Sequence, residues 1–115
     1  MSALATTSMA STVAIAARGR DKIEPRLLGL MEIQGVAAEH MDKLGDAGVT
    51  TLAIMNCVAV DRQSFVEFIE KAPLEIKNTT VMETISQAKV IAVYEAAKMS
   101  WQVELKAASE RQVNA

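Results

Sequence analysis

The residues of this chain with the means to do chemistry are few and scattered. His40 is the single histidine and Cys57 the single cysteine. A metal site needs several His, Cys or carboxylate ligands at short spacing, and His40 has no such neighbours in the sequence. It borders the apolar stripe of its segment, which points to a partly buried structural histidine. A nucleophilic cysteine needs an electropositive, partly exposed setting, whereas Cys57 lies in the most apolar stretch, "TLAIMNCVA", and is expected to be buried. Ser64 and Ser100 lack the G-x-S-x-G turn that exposes a nucleophile. The acidic residues are spread over several segments, with no pair marked for acid–base work. Phosphate-loop and dinucleotide fingerprints are absent. The expectation is therefore a protein without catalytic residues, metal or cofactor, and not an enzyme.

One motif could hold a phosphate. In "LGDAGV", Gly45 and Gly48 flank a turn before a new helix, and Lys77 precedes the last helix. Backbone N–H groups at such a turn and at a helix N-terminus can meet a phosphate oxygen, and glycine lets the backbone come close. Asp46 stands between the two glycines and repels the anion the loop would have to hold. Gly45, Gly48 and Lys77 are the candidate nucleic-acid contacts, and the competing reading of the glycines is helix termination with tight packing.

Helices must position these residues. Ile23, Leu27 and Leu30 stand at helical spacing, with Leu28 and Met31 widening the stripe, Pro25 in a first turn and Gly35 as a stop. Ala37, Met41 and Leu44 mark a second helix, ended by Gly48. Thr50 or Thr51 caps a third, "TLAIMNCVA", which is apolar on most of its circumference and so reads as central. Phe65, Phe68, Ile69 and Ala72 form a fourth, capped by Asp61 or by a Ser64–Glu67 box and ended by Pro73. "LEIKN" reads as a short linker or a single turn. Thr80 and Glu83 form a capping box for the last helix.

From there to Gln112 the sequence has neither Gly nor Pro. One stripe runs Val81, Ile85, Ala88, Ala92, and a second runs Val90, Tyr94, Ala97, Trp101, Leu105. About 30 residues at 1.5 Å each make a helix of ~45 Å, longer than so small a bundle is wide. Its second half is expected to project, with Tyr94, Ala97, Trp101 and Leu105 forming a partner-binding line anchored on Trp101. The predicted core is Leu27, Leu30, Met41, Leu44, Leu52, Met55, Val58, Phe65, Phe68, Ile69, Ile85, Ala88 and Ala92.

Composition sets the bounds. At 115 residues the chain holds one domain plus tails. Half the residues are apolar and only 3% aromatic, so aliphatic residues and seven Met must fill the core. A net charge of −2 and a pI near 5.4 argue against a strongly electrostatic nucleic-acid binder. No apolar run approaches the ~20 residues that span a bilayer, and Lys98 and Lys106 are balanced by Glu95, Glu104 and Glu110 against a membrane-lying helix. With one cysteine the fold needs no oxidising compartment, and an intracellular, soluble protein is expected. Residues 1–20, rich in Ser, Thr and Ala with no acid before Asp21, read as a flexible tail, the alternative being an organelle transit peptide. Residues 21–115 read as a single helical domain with its last helix at about 80–112.

The stretch "LGDAGVTTLAIMNCVAVDRQSF" resembles small helical domains of the sterile-alpha-motif-like and helix-hairpin-helix class. It is similar in particular to the N-terminal domain of strand-exchange recombinases, and "ISQAKVIAVYEAAK" resembles the helix after that domain's second hairpin. The resemblance covers residues 41–98. It implies an all-α fold, a compact bundle of four short helices followed by one long C-terminal helix, of a kind that often serves in protein interaction or oligomerisation. The family's second hairpin glycine is missing from "IKNTTVMET", so its nucleic-acid contact does not carry over. Two roles follow. The first is a non-enzymatic interaction module that self-associates or binds a protein through its long helix. The second is a weak helix-hairpin-helix-like nucleic-acid binder. A third possibility is an accessory domain of a larger system without isolated activity.

Overall fold

The computed structural model describes residues 18–114. Of the expected tail or targeting segment, residues 1–20, positions 1–17 lie outside the described residues. A 3-10 turn, Gly19–Lys22, leads into α1 (Pro25–Gln34), α2 (Ala38–Asp46), α3 (Leu52–Cys57), α4 (Arg62–Glu70) and the long α5 (Val81–Asn114). There is no strand among the described residues. The expected all-α fold, four short helices and then a long one, is the fold observed.

Local chemistry sets the boundaries. Both α1 and α2 end in a glycine at positive φ, Gly35 at 76° and Gly48 at 99°. In each case the next residue's N–H reaches back five residues, Val36 to Met31 O and Val49 to Leu44 O, both at 2.9 Å. This closure satisfies the last carbonyls and needs the left-handed conformation that glycine adopts freely. Thr51 caps α3 by accepting from the Ile54 N–H at 3.1 Å. Asp61, not Ser64, caps α4, accepting from the Ser64 N–H at 2.9 Å. Thr80 Oγ1 accepts from the Glu83 N–H at 3.1 Å, but the Glu83 carboxylate turns back to Thr79, whose N–H and hydroxyl both donate to it. Half of the expected capping box thus closes one residue earlier. Glu24 ties two segments together. Its N–H donates to Thr50 O and its carboxylate receives the otherwise free Leu52 N–H, which fixes the start of α1 against the start of α3.

The core joins Leu27 and Met31 of α1, Met41 and Leu44 of α2, Leu52 and Met55 of α3, and Phe65 and Ile69 of α4 to Val90, Val93, Tyr94 and Ala97 of α5. Helices α1, α3 and α4 all pack on α5, and α2 packs on the 3-10 turn. Tyr94 is the keystone. Its ring stacks on Phe65 with centroids 4.3 Å apart, and its hydroxyl donates to Ala59 O at 3.1 Å. Burying either ring contributes on the order of 1.5–3 kcal/mol, and the aromatic pair adds about 1 kcal/mol more.

Several expectations are corrected. Ile85 and Ala88 are exposed and Ala92 is only partly covered. A helix turns one face to a bundle, and the face with Val90, Tyr94 and Ala97 takes that place because Tyr94 supplies more buried area and a satisfied hydroxyl. Leu30, Val58 and Phe68 sit at the rim of the core. Cys57 is exposed, not buried. With only six residues, α3 buries Leu52 and Met55 one turn apart against the core and leaves Ile54 and Cys57 to solvent, so it is covered on one face and not on most of its circumference. "LEIKN" does more than link, since Leu74 and Ile76 are fully buried and Ile76 N–H bonds Ile69 O at 2.8 Å.

Candidate interaction surface

The glycine turn is built for packing. A Cβ on Gly45 would lie 1.8 Å from Gly19 O, and one on Gly19 would lie 1.9 Å from Asp42 O. The 3-10 turn therefore rests directly on the backbone of α2, and only a pair of glycines permits it. Arg20 clamps the contact. Its backbone N–H and guanidinium both donate to the Asp42 carboxylate, each at 2.9 Å. The Arg20 side chain and amide hold that carboxyl down at about 2. Gly19 and Arg20 thus belong to the folded unit, although the sequence reading placed them in the tail.

Gly45 is corrected as a nucleic-acid contact, because it is buried under Gly19. Gly48 is exposed, but its neighbour Asp46 pairs with Lys22 at 3.1 Å. Lys77 is exposed and lies elsewhere, in a hollow of about 380 Å³ with Glu39, His40 and Lys43 of α2, Glu75, and Glu83 of α5. The structure does not bring Lys77 together with the glycine turn. Three carboxylates share the hollow with the two lysines, a poor setting for a phosphate. The Thr79 hydroxyl, the Thr79 and Thr80 amides and the Lys77 charge keep the Glu83 carboxyl below its usual range. His40 is partly buried, as expected. Its Nδ1 is sealed from solvent without a hydrogen-bond partner among the described residues, and burial holds its imidazole below the usual pKa, hence neutral at pH 7. No cluster of three or more His, Cys, Asp or Glu fit to hold a metal occurs among the described residues.

The surface of α5 differs from the expected partner line. Tyr94 and Ala97 are corrected as partner contacts, since both are buried in this domain's own core at 1% and 0% exposure. Lys98 follows them, donating to Val60 O at 2.8 Å and lying over the Tyr94 ring. Trp101 is half-buried and Leu105 exposed on the same face. The bundle accompanies α5 further than expected, to the Arg26–Glu104 ion pair at the start of α1.

The opposite face of α5 carries Ile85, Ala88 and Ala92, the three residues of this helix expected in the core. Val81, Ile85, Ala88, Ala92, Ala96, Met99 and Val103 recur at steps of three and four, within a narrow sector of the helix at about 100° per residue. Val81 is 76%, Met99 68% and Val103 68% exposed. The helix therefore has two opposed apolar faces, one spent in the core and one open. The signal for this was present in the two stripes of the sequence, but nothing local says which stripe the bundle takes. No protein-family model, curated protein or solved structure matches this chain. No helix among the described residues is long and apolar enough to cross a membrane.

Proposed function

We propose that the chain is a non-enzymatic helical interaction module that engages a protein surface, its own or another's, through α5. The observation that carries this reading is the open apolar face from Val81 to Val103 on a helix whose other face is already buried. A row of exposed Val, Ile and Met along one helix costs solubility unless a partner covers it. Half-buried Trp101 and exposed Leu105 lie on the other face of α5, past Tyr94 and Ala97, and form a second, smaller apolar surface. The resemblance of residues 41–98 to small interaction domains adds to the reading.

The nucleic-acid reading is weaker. Buried Gly45, paired Asp46 and the carboxylates around Lys77 leave no cluster of free cations beside the turn among the described residues. The test of the module uses a photo-crosslinking residue in the full chain in expressing cells, at Val103 or at Gln63, which is also exposed but lies on α4. Adducts are expected at Val103 and not at Gln63. Equal labelling at both, or none, sinks the proposal.

A further inference from the structure

Resting on that interaction reading, we infer that the open face of α5 is covered by a second copy of the chain, with the two α5 helices antiparallel and crossing at Ala92. Side-chain sizes along the open face follow an order. Along the exposed stripe the residues are Val81, Ile85, Ala88, Ala92, Ala96, Met99 and Val103. The stripe is symmetric about its middle. Val81 and Val103 stand equally far from Ala92, as do Ile85 and Met99, and Ala88 and Ala96. A two-fold contact is self-complementary, so that residue i of one copy meets j of the other and j meets i. An antiparallel pair centred on Ala92 then sets Val81 against Val103 and Ile85 against Met99 at both ends. In the middle it sets Ala88 against Ala96 and Ala92 against its own copy. A different partner imposes no such symmetry on the stripe, whereas a copy running the other way does.

Packing and area agree with this assignment. Alanine at every fourth position in the centre lets two helices approach to the short end of the usual 8–10 Å range. The larger end residues then close the seam above and below. Lys89 and Glu95 lie outside the stripe on opposite flanks, so no charge is desolvated in its centre. The exposed apolar groups together with the stems flanking them offer roughly 600–700 Å² per chain, which as a pair reaches the lower edge of specific interfaces at about 1,200 Å². Interfaces at this lower edge include weak and transient complexes, so the micromolar range is where association is sought. The core of each domain lies on the far side of its α5, so dimerisation leaves both bundles intact.

The test is sedimentation equilibrium of the full chain from about 5 to 200 µM, a range that brackets a micromolar constant. A monomer–dimer equilibrium is expected. Ala92→Glu places two carboxylates at the crossing and should weaken association at least tenfold, and Val103→Glu should do the same from the highly exposed end of the stripe. Both should keep the wild-type melting point measured at a concentration where the wild type is monomeric, because neither side chain belongs to the core. Register is read in a Cys57→Ser background with a short bis-maleimide. A chain carrying Ile85→Cys should link to a differently tagged chain carrying Met99→Cys, and should not link to itself. A wild type that is monomeric at 200 µM overturns the proposal, as does self-linking at position 85 in preference to the mixed pair. If the chain is monomeric but the Val103 photo-adduct has the mass of a different protein, the second copy is refuted while the interaction module stands. If neither dimer nor adduct forms, both fail.

Discussion

Replacing Gly45 with alanine isolates what the glycine turn is for. The new Cβ would meet the Gly19 carbonyl oxygen at 1.8 Å, about half an ordinary contact, and both partners are backbone. No rotamer change can relieve it, so the 3-10 turn has to lift from α2. Lifting releases the Arg20–Asp42 clamp and re-exposes Ile23, which is 5% exposed in the native fold. Overpacking of this kind costs about 1–3 kcal/mol and re-exposing a large aliphatic side chain a similar amount, so the sum after partial relaxation is about 2–4 kcal/mol. For a domain of this size that is a fall in Tm of about 10–25 °C. Two other glycines serve as controls. Gly48→Ala meets nothing within 4 Å but must hold φ near 99°, so its loss is pure backbone strain, about 1–2 kcal/mol. Gly29→Ala lies inside α1 with open space around it and should stabilise by about 0.5–1 kcal/mol. Thermal melts of the three variants followed by circular dichroism give the order directly. The double variant Gly19→Ala, Gly45→Ala should melt close to Gly45→Ala alone, because a turn already displaced has little left to lose. A Gly45→Ala protein with wild-type Tm would refute the close approach and reopen a role for this glycine at a ligand.

Other outcomes follow from the same contacts. Tyr94→Phe keeps the stack on Phe65 but strands the Ala59 carbonyl, and should cost about 1–2 kcal/mol in a denaturant melt with unchanged slope. The Asp42 carboxyl titrates near 2 when folded against an ordinary 3.8, so the unfolded chain takes up the proton first as pH falls. Its stabilisation is complete above about pH 4 and is lost between there and about pH 2. Asp61 and Glu83, also held low, add to the same acid limb. Asp42→Asn should lower Tm at pH 6 and flatten the Tm profile across that acid window. Fluorescence anisotropy with labelled single- and double-stranded DNA should show no salt-sensitive binding at low ionic strength. Binding that weakens steeply with salt and is reduced by Lys77→Glu would restore the nucleic-acid reading.

Local chemistry made the helices legible. Gly35, Gly48, Thr51, Asp61 and Thr80 carry their stop and start signals in their own side chains or in their tolerance of positive φ, and these act within one turn. The sequence by itself therefore determined the helix order, most boundaries to within a few residues, the all-α class and much of the core on α1 to α4. It also showed that α5 has two apolar stripes. Which stripe faces inward was decided only by the tertiary structure, because that choice depends on whether Phe65 and the Ala59 carbonyl stand ready to receive Tyr94, and both come from other segments. For the same reason the pairing of Gly19 with Gly45, of Arg20 with Asp42 and of Glu24 with Leu52 was invisible in the sequence. Each joins residues more than twenty positions apart, and no local rule relates their spacing. The inward turn of Tyr94 and Ala97 is what leaves Val81 to Val103 outside, and so it is the packing of the bundle that moved the candidate surface from one side of the helix to the other.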